Sequence, residues 1–327
     1  HRTHVALGER EDGRIRVVST FDTEPVEVAL ADLDALFPAR RDEALEAQAR
    51  RAIEHCGYRP VSVSVDGAGM RIDKGRISGP QARAAYVTPS HQFPLGVQMS
   101  MPRRLELLDW ARDAGAFVFE DDYDSEFRYD GAPLLSLAGI DHLRRVIYMG
   151  TFAKTLFPGL RIGYCALPEA SIGPVTAARA ALDRFPGTLM EGAVADMLNS
   201  GAFAANLRKS RKLYREARDV LAATLTDASE GELTVPVPSQ GLHLVARLDP
   251  ATDPLVAAQA KAAAGVGGWL LAETYRRARP LPGFVLGFSG HPVPQLVAAA
   301  EQLAKTTLTA LRATRKQSTK ARGPKAR

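Results

Sequence analysis

A large α/β domain built on a mostly parallel sheet, followed by a smaller α+β domain, is the fold class that this sequence predicts. Three observations carry it. Between Arg59 and Leu167, short β-rich runs alternate with helical stretches, the pattern of parallel strands joined by helical crossovers. The residues with the most chemical character fall just after those runs, where open α/β sheets bind ligands. The chain has 327 residues, 46% of them hydrophobic, enough for one large core and one smaller one.

The strands read in order are Val61 to Val65, Ala85 to Thr88, Phe117 to Glu120, Val146 to Met149 and Ile162 to Leu167. Met101 to Ala114 reads as a helix, with Leu105, Leu108 and Trp110 or Ala111 as its apolar stripe and Gly115 as its stop. A long helical stretch follows from about Glu191 through Leu221, broken near Ser200-Gly201. It carries Arg208, Lys209, Arg211, Lys212, Arg215 and Arg218, which read as a solvated face, the alternative being contact with nucleic acid or a partner. Leu233 to Leu248 and Phe284 to Phe288 read as strands and Pro294 to Leu311 as a final helix. The division is an unassigned segment over 1–46, a large domain over 47–205, a small C-terminal domain over 206–311 and a basic disordered tail over 312–327.

The net charge of +5 is concentrated at the end of the chain. Seven basic and no acidic residues lie between Arg312 and Arg327, and removing them leaves −2. That stretch has too little apolar surface to fold alone, so it reads as a solvated tail rather than a nucleic-acid contact. No apolar run approaches the roughly 18 residues of a membrane span, and the first residues are polar, so neither a span nor a signal peptide is read and a cytoplasmic protein is expected. Cys56 and Cys165 lack disulfide or zinc spacing and read as small buried residues.

The segment from Gly150 to Tyr164 sets Lys154 seven residues ahead of Arg161 in apolar surroundings. An amine in such a setting is easier to keep uncharged and nucleophilic, and an anionic cofactor beside it needs a permanent cation. Pyridoxal 5'-phosphate (PLP) meets both demands. Upstream lies the acidic run Glu120-Asp121-Asp122-Tyr123-Asp124-Ser125-Glu126. A calcium loop is excluded there, because Phe127 stands where that loop needs glycine and its closing carboxylate is missing.

These two segments, at this spacing, resemble the Schiff-base region of fold-type I PLP enzymes. With the block from Thr88 to Gly96 they are most similar to the aminotransferase-like domain of MocR-type regulators, a GntR subgroup, from about Ala47 to about Leu311. The resemblance implies a fold-type I PLP-dependent aminotransferase-like architecture, with helices on both faces of the central sheet and the cofactor in the large domain. It implies Lys154 as the amine that bonds the cofactor aldehyde, and Asp121 as the partner of the pyridine nitrogen. Tyr123 would serve the 3-oxygen or stand as a core tyrosine. Arg161 would bind the phosphate or form a structural ion pair, and Thr151 would add a hydroxyl to the phosphate or only shape a turn.

The resemblance further implies a homodimer and a small amine or amino-acid effector. DNA would be reached only through a winged helix that these residues do not contain. A working aminotransferase is the alternative function, with Lys154 also as general base, and a scaffold that has lost the cofactor is a third. Departures are visible. Phe93 replaces the usual asparagine, for which His91 or Gln92 would substitute unless they only stabilise the turn. Val285 stands where many relatives place an arginine that clamps the substrate carboxylate. Residues 1–46 lack the glycine- and serine-rich phosphate loop and begin without methionine, which reads as a fragment or a rearranged N-terminus.

Overall fold

The computed structural model describes residues 14–17, 26–29, 53–55, 57–132, 134–182, 189–276 and 278–321. Near the start, β1 (Arg14–Val17) and β2 (Val26–Ala29) pair antiparallel. The rest of the unassigned segment 1–46 lies outside the described residues. β3 (Val65–Asp66) and β4 (Gly69–Met70) close a short hairpin, so only the last residue of the Val61 to Val65 run is a strand, and α1 (Ile72–Ser78) follows.

A four-stranded sheet then forms in the spatial order β5 (Ala84–Val87), β6 (Phe117–Asp122), β7 (Val146–Thr151) and β8 (Gly163–Ala166). The first three strands are parallel and β8 is antiparallel to β7, so the sheet is mostly parallel, as expected. Register defines its two faces, since side chains alternate along a strand. Ala85, Val118 and Val146 share one face; Tyr86, Phe119 and Ile147 share the other. The first face packs on α2 (Met101–Asp113) and α3 (Leu137–Asp141) in a core that includes Val87, Leu107, Leu108 and Leu137.

Helix α2 starts where the sequence places it, with the Ser100 hydroxyl accepting from the Arg103 N–H at 3.4 Å and Pro102 in the first turn. Its stripe differs from the expected one. Leu105 is 47% exposed, and the buried row is Arg104, Leu107, Leu108 and Ala111. The reason is Arg104, which is fully buried. Its Nε donates to Met99 O at 3.0 Å, Nη1 to Leu135 O at 3.0 Å and Nη2 to Pro89 O at 2.9 Å, with Nη1 also 3.9 Å from Glu120 Oε1. Glu120 in turn accepts from the N–H groups of Leu137 and Ala138, each at 2.9 Å, and so anchors the start of α3. A charge with this many acceptors belongs in the core, although hydropathy assigns it to water.

Three helices follow: α4 (Glu169–Leu182), α5 (Leu189–Asn199) and α6 (Ala202–Ala228), with the expected break at Ser200-Gly201. Along α6 the side chains of Arg208, Lys209, Lys212 and Arg215 are exposed, as a solvated face requires. The other two basic residues depart from that expectation. Arg211 donates to the Glu126 carbonyl, and the buried Arg218 donates to Asp130 Oδ2 at 2.7 Å and Pro238 O at 2.6 Å while stacking over Tyr129.

The second core surrounds an antiparallel sheet of β9 (His243–Arg247), β10 (Trp269–Leu270) and β11 (Gly283–Gly287), with β11 in the centre. Helices α6, α7 (Pro254–Ala264) and α8 (Val293–Ala321) pack around it. Only the end of the Leu233 to Leu248 run is therefore a strand, with Thr234 bridging back to Arg247. The final helix continues past Leu311 to Ala321, so the part of the expected disordered tail 312–327 that lies over 312–321 is helical. Arg312 pairs with Glu230 at 3.2 Å and Arg315 forks onto Glu232 at 2.9 and 3.0 Å, so acids brought from the turn after α6 support the basic turn. Residues 322–327 lie outside the described part. Cys165 is exposed rather than buried, and Cys56 is outside the described residues. No described helix is long and apolar enough to cross a membrane.

Replacing Arg104 by Ala leaves the Glu120 carboxylate without its guanidinium and takes one donor from each of three carbonyls, at Pro89, Met99 and Leu135. The expected loss of stability is about 3–5 kcal/mol in urea denaturation, whereas Leu105→Ala should change it by less than about 0.5 kcal/mol.

Candidate cofactor site

The carboxyl end of β6 assembles the acidic run one carboxylate at a time. Alternation sends Glu120 and Asp122 to the face covered by α2 and α3, and Asp121 to the face shared with Tyr86. Asp122 Oδ2 accepts from Ser125 Oγ at 2.7 Å and from the Tyr148 hydroxyl at 2.6 Å. Asp121 is 5% exposed and accepts from the hydroxyl of Tyr86, a residue the sequence reading did not single out. Burial pushes the Asp121 carboxyl above its ordinary range; the Tyr86 hydroxyl and the Lys154 charge oppose that rise, while Asp124 adds to it.

Lys154 lies in the loop after β7, and parallel pairing sets Asp121 opposite Met149, so the loop leaves the sheet beside the end of β6. The Thr151 hydroxyl donates to Ile162 O at 3.3 Å and accepts from the Ala153 N–H at 3.1 Å, so its observed work is to shape this loop. The loop is closed by Phe152 N–H to Ile162 O at 3.0 Å and tied to α6 by Asn206 Nδ2 to Thr155 O at 3.2 Å. Lys154 is exposed, contrary to the enclosed amine that its apolar neighbours suggest, yet it lies within electrostatic reach of Asp121. Arg161 is also exposed and takes a left-handed backbone with φ 55° at the end of the short 3-10 turn Pro158–Leu160. It forms no ion pair among the described residues, which leaves its guanidinium available to an anion.

Tyr123 is buried with its hydroxyl donating to His91 O at 2.9 Å, and burial raises its phenol well above the ordinary range. Its ring joins Phe93, Val245, Leu271 and Val285 in a cluster between the two sheets. Val285 is thus a core residue here, in keeping with an apolar side chain at that position. The Thr88 to Gly96 block is a tight turn: Gly96 N–H donates to Gln92 O at 2.7 Å, Leu95 N–H to Gln92 Oε1 at 3.1 Å and Phe93 N–H to Thr88 Oγ1 at 3.1 Å. Gln92 stabilises that turn. His91 instead points its Nδ1 to Asp124 Oδ2 at 2.8 Å, and its ring stacks at 4.5 Å on His243, whose Nε2 donates to Pro94 O at 3.0 Å. His91, Asp124 and His243 are metal-binding residue types gathered together; His91 Nδ1 and His243 Nε2 are engaged as above, while His91 Nε2 and Asp124 Oδ1 are buried with no hydrogen-bond partner among the described residues.

The aminotransferase class I and II family matches residues 50–281. The chain belongs to this family. Its fold is that of the fold-type I PLP-dependent enzymes. The multiple-substrate aminotransferase of Thermococcus profundus superposes with a TM-score of 0.71 at 27% identity, over 80% of this chain and 68% of that one. The kynurenine aminotransferase of Pyrococcus horikoshii gives 0.72 at 24% identity, over 80% and 67%, a likeness of fold. Among curated proteins, the probable rhizopine catabolism regulatory protein MocR of Rhizobium meliloti is 38% identical over 231 residues, 71% of this chain and 46% of that protein. The pyridoxine biosynthesis regulator PdxR of Corynebacterium glutamicum is 32% identical over 242 residues, 74% and 52%. The chain spans about half the length of these curated relatives.

Family and fold imply PLP, and the donor set fits it. A buried carboxylate at a strand end suits a protonated ring nitrogen, an exposed guanidinium suits a phosphate, and an accessible amine suits an aldehyde. When bound, PLP supplies an electron-accepting ring. Asp121 and Arg161 would hold its charges, and Lys154 would present its amine.

His243 carries a pH signature of this region. Burial first, and then its neighbour His91, push its imidazole down from 6.5 to about 3, so the folded state keeps it neutral. The unfolded chain binds that proton more readily, so stability should fall as pH drops from about 6.5 toward 3. Urea midpoints across that range should slope less in His243→Gln than in the parent.

Proposed function

We propose that this chain is the PLP-binding, effector-sensing and dimerising part of a MocR/GntR-type transcription regulator acting in the cytoplasm. The carrying observation is the likeness to regulators over an aminotransferase-type region that occupies about half their length. Lys154 bonds the cofactor aldehyde, Asp121 pairs with its ring nitrogen, and Arg161 with the Thr151 hydroxyl takes its phosphate. Tyr123 serves the 3-oxygen by giving up its bond to His91 O. The large unit over 47–205 carries the cofactor and the small unit over 206–311 faces it.

The effector is a small amine or amino acid that competes with Lys154 for the cofactor. A second copy of the chain completes the pocket, and DNA is contacted through a winged helix of the kind that HTH-type relatives are named for. Effector binding then shifts the population of dimer arrangements.

Titrating the protein with PLP while recording its visible spectrum tests this. A saturable band is expected in the parent and its loss in Lys154→Ala. Added amino acids or amines should then shift the band without steady keto-acid production. Sustained turnover would instead make the chain an aminotransferase, and no band in the parent would overturn the cofactor assignment.

A further inference from the structure

We infer that Tyr86 is a positioning residue for Asp121, holding its carboxylate ionised and in place for a cationic ring nitrogen. The inference rests on the cofactor reading above and adds a residue to it. Tyr86 sits on β5, and the parallel register pairs it with Phe119, so its side chain rises from the same face of the sheet as Asp121. From there its hydroxyl reaches over and donates to Asp121 Oδ2.

The acidic run shows what such a donor does. Glu120, Asp122 and Asp124 each have donors of their own: the N–H groups of Leu137 and Ala138, the hydroxyls of Ser125 and Tyr148, and His91. Asp121 is as buried as they are, with Asp124 nearby as a like charge and Lys154 as an opposite one. A hydroxyl donated to it favours the ionised form, in which it can hold a pyridinium as an ion pair.

A phenol suits the task better than a cation. An arginine or lysine on Asp121 would stabilise the carboxylate but cancel its charge, leaving little attraction for the ring. A neutral hydroxyl stabilises the ionised form and leaves the charge in place. Tyr86 is 38% exposed, so its ring contributes little to the core and its removal should leave the fold intact. That exposure also distinguishes it from a packing residue such as Tyr123.

Two measurements test the inference. The first needs no cofactor: carbon-13 NMR of the aspartate carboxyls, with Asp121→Asn to assign the signal. In Tyr86→Phe the Asp121 midpoint should move to higher pH, and in Tyr86→Gln, which keeps a donor, it should stay nearer the parent value. The second is PLP affinity against pH. Tyr86→Phe should weaken binding about tenfold near neutrality, the scale of a hydrogen bond to a charged group, with the loss growing as pH falls.

An Asp121 midpoint unchanged in Tyr86→Phe, or a PLP profile identical to the parent's at every pH, overturns the role of Tyr86 while the cofactor reading stands. A parent that takes up no PLP overturns that reading and the ring-directed role together. A midpoint shift in the first experiment would then leave only the Tyr86–Asp121 bond.

Discussion

A guanidinium with no access to water governs this structure. Removing an arginine from solvent costs several kcal/mol, and the cost is offset only if its donors meet acceptors in good geometry. Arg104 meets carbonyls at Pro89, Met99 and Leu135 and faces Glu120. Those acceptors belong to the turn after β5, the lead into α2, the lead into α3, and β6 itself. One side chain therefore fixes where four segments lie, and Asp121, next along the chain from Glu120, inherits its position from that arrangement.

The acidic end of β6 is possible for a related reason. Five carboxylates within seven residues repel one another, and burial penalises each. Strand alternation relieves the first problem by splitting Glu120 and Asp122 from Asp121 onto opposite faces. Separate donors relieve the second. Glu120 uses the start of a helix, Asp122 two hydroxyls and Asp124 an imidazole. Asp121, on the face that Tyr86 shares, accepts from that phenol and lies within reach of the Lys154 charge.

Much of this was legible in the sequence because it depends on local patterning. The strands Ala84–Val87, Phe117–Asp122 and Val146–Thr151 announce themselves through β-branched and aromatic runs, and the break at Gly201 through its residue type. The spacing of Lys154 and Arg161 survives as a single loop with both side chains exposed. What local patterning missed depends on distant partners. Leu105 looked like core because hydropathy cannot know that Arg104 has three carbonyls waiting. Arg218 looked solvated because Asp130 and Pro238 are remote in sequence. Tyr86 read as an ordinary strand residue, since only the register of β5 against β6 sets it beside Asp121. The basic stretch after Leu311 read as a tail because Glu230 and Glu232, its partners, lie some eighty residues earlier.

The two sheets meet around one imidazole. His91 is buried, bonded to Asp124 and stacked on His243 of β9. Two glycines with positive φ leave room for its ring: Gly96 at 71°, where a Cβ would lie 3.1 Å from His91 Nε2, and Gly241 at 93°, where a Cβ would overlap the ring outright. Around it, Gly241 N–H donates to Phe127 O at 2.9 Å and the Tyr129 hydroxyl to Gly241 O at 2.7 Å, so the chain entering β9 is fastened to the segment leaving β6. Tyr123 bonds the carbonyl of the same histidine. Through His243, the three-stranded sheet is bonded to the Pro94 carbonyl in the same turn that carries His91. That turn is fastened by Tyr123, two residues along the chain from Asp121, so contacts from the small sheet reach the end of β6 without a break.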